Sequence, residues 1–325
     1  MILLHKWIYS KPFASHIMVY MNKTDKKEII GMFEVLGAFT LAGSSIVAGK
    51  LLSFRVPIFL TGFLSLLFAL IILFPFQLKK LNELKKINKR EFILMLFQAV
   101  CGIVMTRVLT LYGLRFTTAL NAGLINSSTP AVMALFSVLI FKEQLRRYNY
   151  AGLLFALAGM MIITFATSDG NRGTVSMAGN ILIFGAVLAE VLMTIFRKMT
   201  RQNISSLTNT TVLFFISLLI FLPFAIGDLQ SYSISLIEKR DWISILFYGI
   251  FGSAIAYLLW GDGVMKISAT RAGVGTTMIP LTTIVLSALI LGEQFTNIHG
   301  LGTLFCITGM ILCNIVNKEK VLLLE

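Results

Sequence analysis

A block of sixty-two residues occurs twice in this chain. Residues 102–163 lie without a gap on residues 252–313 when shifted by 150. Ala119, Ala122, Gly123 and Pro130 fall on Ala269, Ala272, Gly273 and Pro280. Glu143 and Gln144 fall on Glu293 and Gln294, and Gly152, Leu154, Phe155, Gly159 and Met160 fall on Gly302, Leu304, Phe305, Gly309 and Met310. Shared apolar composition would match Leu with Leu, but not Pro, Glu and Gly at one fixed offset. The block is therefore an internal duplication, and a fold built from it must use one module twice.

The solvent of that module is lipid. Of 325 residues 57% are hydrophobic and only 13% charged, where a soluble domain carries roughly a quarter. About 20 apolar residues cross the ~30 Å hydrocarbon layer. Ten segments qualify: residues 30–49, 56–76, 91–112, 117–141, 150–168, 178–197, 207–227, 242–263, 269–292 and 297–317. Gly37, Ala38 and Lys50 in the first segment lie 148 residues before Gly185, Ala186 and Lys198 in the sixth, so the repeated unit is five spans long. Five is odd, and the second copy must enter the membrane from the opposite side. The expected fold is an all-α polytopic membrane protein of ten transmembrane helices in two inverted five-helix repeats. The first repeat is residues 30–168 and the second 178–317. Residues 1–29 make a cytoplasmic N-terminal arm and 318–325 a cytoplasmic tail. The arm reads equally as an amphipathic surface segment or as an over-extended start, with Met18 or Met21 first.

The net charge of +13 does not point to nucleic acid. The Lys and Arg side chains lie in short links and form no basic face with interleaved aromatics. Twenty-one of them fall on one side of the ten-span threading and six on the other, with Arg107 left inside the third span. By the positive-inside rule both termini are cytoplasmic in a multi-pass cell-membrane protein. Cys101, Cys306 and Cys313 lie inside apolar spans and give no disulfide framework. Neither a metal-ligand set nor a cofactor motif is legible.

Pro130 and Pro280 stand near the middles of spans four and nine. Each removes a backbone donor and crowds the carbonyl four residues earlier, at Asn126 and Thr276. An orphan carbonyl in lipid needs a polar partner. Asn126, Ser127, Ser128, Thr276 and Thr277 read either as loosened backbone facing a wet cavity, or as an ordinary kink whose hydroxyls bond back to their own helix. Glu190 falls near the bilayer centre, where a charge must face protein or water. It reads as a proton site, as a counter-charge for a substrate cation, or as a partner for Arg107. Arg107 either snorkels to the headgroups or offers its fork to a carboxylate or phosphate. Tyr257 takes its place in the second copy and shares a helix face with Trp260. The pair is an aromatic cavity wall or part of the interfacial belt. Glu143 and Glu293, at mirrored span ends, are structural caps or gate latches. Glu34 reads as a solvated boundary residue. Gly152, Ala156 and Gly159, with Gly302, Cys306 and Gly309, form small-residue stripes that suit either packing between the repeats or a homodimer contact.

Tyr112-Gly113-Leu114-Arg115-Phe116-Thr117 with Thr118-Ala119, then Pro130, Glu143, Gly152 and Gly159, resembles the drug/metabolite transporter superfamily in its ten-helix EamA-like branch. The second copy repeats the pattern with Gly263, Ser268-Ala269, Pro280, Glu293, Gly302 and Gly309. The resemblance implies a secondary transporter of a small molecule, such as an amino acid or drug, with some relatives driven by H+ or Na+. It also implies a cavity lined by helices 3, 4, 8 and 9 and parts of 1 and 6. Where such proteins commonly have an aromatic residue followed by Gly in helix 1, this chain has Ala42-Gly43-Ser44-Ser45, and the matching place in helix 6 holds Glu190.

Other classes fare worse. An intramembrane enzyme needs a nucleophile with its base, paired carboxylates or metal ligands within the spans. The three histidines, His5, His16 and His299, lie outside or at the ends of spans, and no HExxH, GxSxG or CxxC occurs. A receptor or scaffold has no use for mirrored mid-span prolines. A lipid-linked-sugar flippase of the same fold is the nearest alternative, and a larger, laterally open cavity would mark it.

Overall fold

A computed structural model describes residues 11–141, 147–166, 176–200, 204–264, 266–267, 275–276 and 278–314. Ten longer helical segments run through them, besides the short turns Leu81–Leu84 and Ile234–Leu236. They are α1 (Lys11–Leu52), α2 (Ile58–Leu78), α3 (Lys89–Gln98, continued by Ala99–Met105 and Thr106–Phe116), α4 (Ala119–Asn126 and Thr129–Phe141) and α5 (Arg147–Ala166). After these come α6 (Met177–Met199), α7 (Ser206–Ser231), α8 (Lys239–Gly249, Ile250–Ile255 and Ala256–Val264), α9 (Met278–Leu286 and Ser287–Leu291) and α10 (Asn297–Asn314). Helices α1–α3 and α6–α8 each contain a stretch long and apolar enough to cross a bilayer. The protein is an all-α polytopic membrane protein.

The chain runs up and down between two ends of the bundle. At one end Glu83, beyond α2, accepts from the start of α7: the Ser205 N–H at 3.1 Å and the Thr208 hydroxyl at 2.7 Å. At the other end Asp228, late in α7, accepts from the Leu60 N–H at the start of α2, at 2.9 Å. Each helix of this pair is capped by an acid at or just beyond the far end of its partner, which satisfies amides that lipid would leave orphaned. The starts of α3 and α8 carry the duplication in their caps. The Asn88 N–H donates to Glu91 and, 150 residues on, the Glu238 N–H donates to Asp241, at 3.1 and 3.3 Å.

Packing between helices follows the same two-fold exchange. Helix α5 packs on α10 and α2 on α7, each on its own copy, while α3 packs on α6 and α8 on α1. Phe155 and Phe305, equivalent residues, meet with ring centroids 5.4 Å apart. A Cβ on Gly159 would lie 2.8 Å from the Gly302 carbonyl oxygen, and one on Gly309 would lie 2.6 Å from that of Gly152. The small-residue stripes are therefore buried between α5 and α10, where glycine lets the backbones close up.

Pro130 sits in a first turn, and Pro280 lies in the described part of α9, Met278–Leu286. Helix α4 stops at Asn126 and restarts at Thr129. A proline in a first turn gives up an N–H that would have been unsatisfied anyway. The Asn126 carbonyl accepts from the Thr129 hydroxyl at 2.7 Å, and the Thr276 carbonyl accepts from the Ile279 N–H at 3.1 Å. Glu34 is not a solvated boundary residue. It pairs with Lys266 at 2.5 Å, joining α1 to the segment after α8, because both side chains sit half-sheltered at one end of the bundle.

Candidate functional site

Two π-helical turns shape the middle of the molecule, Ala99–Met105 in α3 and Ile250–Ile255 in α8. Their last residues differ by 150, so the duplication carries the irregularity itself. A π-turn widens the helix and displaces a carbonyl from its usual donor. Here side chains five residues on supply donors: the Thr106 hydroxyl bonds the Cys101 carbonyl at 3.1 Å, and the Ser253 hydroxyl bonds the Tyr248 carbonyl at 2.8 Å.

Between these turns lies a cavity of about 140 Å³ with walls from α1, α3, α4, α6, α8 and α9. Its polar lining includes Ser45, Thr106, Arg107, Asn126, Glu190 and Tyr257. Arg107 is 8% exposed. Its guanidinium donates to the hydroxyls of Ser65 in α2 and Ser253 in α8, and it lies over the Tyr248 ring at 4.8 Å from the centroid. The guanidinium is thus anchored to two neighbouring helices. Glu190 opens on the same cavity from α6. Among the described residues no ion pair joins it to Arg107. The Asn126 amide donates to the Ala122 carbonyl at 3.0 Å, and Tyr257 meets Phe214 edge-on at 5.4 Å.

Other sequence candidates stand elsewhere. Ser127 and Ser128 are 3% and 0% exposed, and their hydroxyls bond back to the Leu124 and Ile125 carbonyls at 2.5 and 2.7 Å. They follow the kink alternative, because a hydroxyl next to a helix break bonds its own displaced carbonyls. Trp260 and Thr276 are not among the cavity's lining residues. Thr277 and Glu143 lie outside the described residues. Glu293 accepts from the Ala119 and Leu120 N–H groups at 2.9 and 2.8 Å, at the start of α4. Beside it, Lys50 donates to the Leu114 and Thr117 carbonyls at the end of α3, at 2.5 and 2.6 Å. A carboxylate on a helix N-terminus and an ammonium on a C-terminus both complement the helix dipole. Sequence reasoning passed over Ser65, Tyr248 and Ser253. The one available signal was a hydroxyl inside an otherwise apolar span.

Comparison with known proteins agrees with this architecture. The profile of the family described as "EamA-like transporter family" matches residues 29–165 and again residues 177–315. The uncharacterized transporter YetK of Bacillus subtilis is 30% identical over 91% of this chain and 89% of its own length. A Salmonella typhimurium protein named "Probable amino-acid metabolite efflux pump" is 23% identical over 53% of this chain and 60% of its own. A solved crystal structure superposes with a TM-score of 0.59 at 16% identity, covering 89% of this chain and 96% of that one, and so shares the fold. Matched twice by one profile and aligned with a transporter along nearly its whole length, the chain belongs to the EamA-like transporter family, within the drug/metabolite transporter superfamily.

Proposed function

We propose that this membrane transporter carries a small zwitterionic metabolite of the amino-acid type by alternating access. The substrate carboxylate meets Arg107 and its ammonium meets Glu190. One observation carries this reading: a buried cation and a half-buried carboxylate, unpaired with each other, open on one cavity from opposite copies of the repeat. A charge held near the bilayer centre costs at least ~2.5 kcal/mol on insertion scales, and a bound zwitterion would complement both charges at once. The cavity, about 140 Å³, is well under the ~300 Å³ at which drug-sized ligands are housed. This favours a small metabolite over a drug or a lipid-linked sugar. The amino-acid efflux relative agrees in substrate class.

Between substrates the Glu190 carboxylate carries a proton, and a pH gradient drives the cycle. The chain lies in the cell membrane with both termini cytoplasmic, since most Lys and Arg residues fall on that side. The test is uptake of the twenty proteinogenic L-amino acids into proteoliposomes, with and without a pH gradient. Wild type should carry at least one of them, faster with the gradient. Glu190→Gln should lose the gradient dependence. Arg107→Gln should lose about tenfold or more in apparent affinity, the scale of one charged hydrogen bond. If both variants match wild type across the panel, the reading is wrong.

A further inference from the structure

Arg107 is held without being neutralised. Its partners are two hydroxyls and an aromatic face, and among the described residues no carboxylate lies within ion-pairing distance of it. The hydroxyls cannot compete for its charge. Each serine has one proton, and each donates it to a backbone carbonyl: Ser65 to Gly62 at 3.0 Å, Ser253 to Tyr248 at 2.8 Å. With the proton committed, only lone pairs face the guanidinium. The Ser253 position depends on the π-turn, since its hydroxyl reaches back five residues to the displaced carbonyl. Bringing Ser65 and Ser253 to one guanidinium also requires α8 to lie hard against α2. Gly249 permits this: a Cβ there would stand 2.3 Å from the Ser65 carbonyl oxygen.

We infer that Ser65 and Ser253 are positioning residues forming a charge-preserving clamp. They fix Arg107 through two of its five N–H groups and leave its full charge and remaining donors for an anionic group on the substrate. The clamp rests on the proposed binding of a carboxylate by Arg107. It adds that selectivity for the anion depends on the neutrality of the two acceptors. A surrounding carboxylate would hold the arginine more firmly and spend the charge that binds the ligand.

The decisive variants replace a neutral acceptor by a charged one. The probes are the amino acid of the panel that wild type carries fastest and its carboxamide, which lacks the anion. Ser253→Ala should raise KM for the acid about tenfold with Vmax held within about twofold, and Ser253→Thr should restore it. Ser253→Asp, which gives Arg107 a stronger partner, should abolish the preference for acid over amide. Ser65→Asp supplies the same readout from another helix, should one variant fail to fold. Retained acid preference in a folded aspartate variant overturns the clamp. If Arg107→Gln raises KM while the aspartate variants behave as wild type, the clamp fails alone. If Arg107→Gln has no effect, or no amino acid is carried, the proposed function fails and takes the clamp with it.

Discussion

A buried guanidinium without a carboxylate partner is a poor choice for stability. Replacing even a buried ion pair by well-packed apolar residues is often neutral or stabilising by about 1–4 kcal/mol, and a guanidinium with no carboxylate partner has less attraction to lose. We therefore expect Arg107→Met to melt at or above the wild-type temperature in detergent while losing most transport. A melt several degrees lower with transport intact would instead make Arg107 a structural residue. Glu293 should behave in the opposite way. Its carboxylate takes two amides at the start of α4, beside the ammonium of Lys50. Glu293→Leu should therefore cost about 1–3 kcal/mol, because two donors lose a charged acceptor. A melt unchanged from wild type would remove the cap from the account.

At the scale of helices, the contact between α5 and α10 and the break in α4 each make a prediction. Gly159→Leu would force a side chain into the space where Gly302 and Cys306 now lie within 2.9 Å of an added Cβ. Overpacking of this kind costs about 1–3 kcal/mol, read as a lower melting temperature. Thr129→Val should strand the Asn126 carbonyl at a cost of about 1–3 kcal/mol, whereas Pro130→Ala should be nearly silent, since a first turn needs no N–H there. Equal effects of these two would refute that account of the break. The tie between Glu83 and α7 gives a pH dependence. Burial pushes the Glu83 carboxyl up, but hydrogen bonds from Ser205 and Thr208 outweigh it and hold the group below the ordinary carboxylate range. A lowered folded-state value means the stabilisation is present above the ordinary carboxylate pKa and is lost as pH falls through the lowered one. Melting temperatures from pH 7 down to pH 3 should fall more steeply in wild type than in Glu83→Gln. Parallel curves would show that the tie contributes nothing.

For the molecule as a whole, two copies threaded in opposite senses can exchange conformations, so the end closed in one state opens in the other. Single cysteines in a background lacking Cys101, Cys306 and Cys313 should report this. A cysteine at Ser45 or Thr110, both lining the cavity, should change its rate of labelling from each side when substrate is added, in opposite directions for the two sides. Constant rates from both sides would contradict alternating access. What the sequence determined is what is written along one dimension. The 150-residue offset, the ten apolar segments and the odd number of spans per copy already require an all-α bundle with one half inverted. They also place Glu190 near the bilayer centre and Arg107 inside the third span. The tertiary structure decided which of the polar residues meet. Each residue along a helix turns the side chain by about 100°. Rotation about the helix axis is set by packing, and a π-turn changes the facing of every later residue in its helix. So Asn126 looks into the cavity while Ser127 and Ser128, its neighbours in sequence, turn into their own helix. Arg107 finds its anchors in Ser65 and Ser253, 42 and 146 residues away. Sequence spacing records no such rotation, and only the packed bundle fixes it.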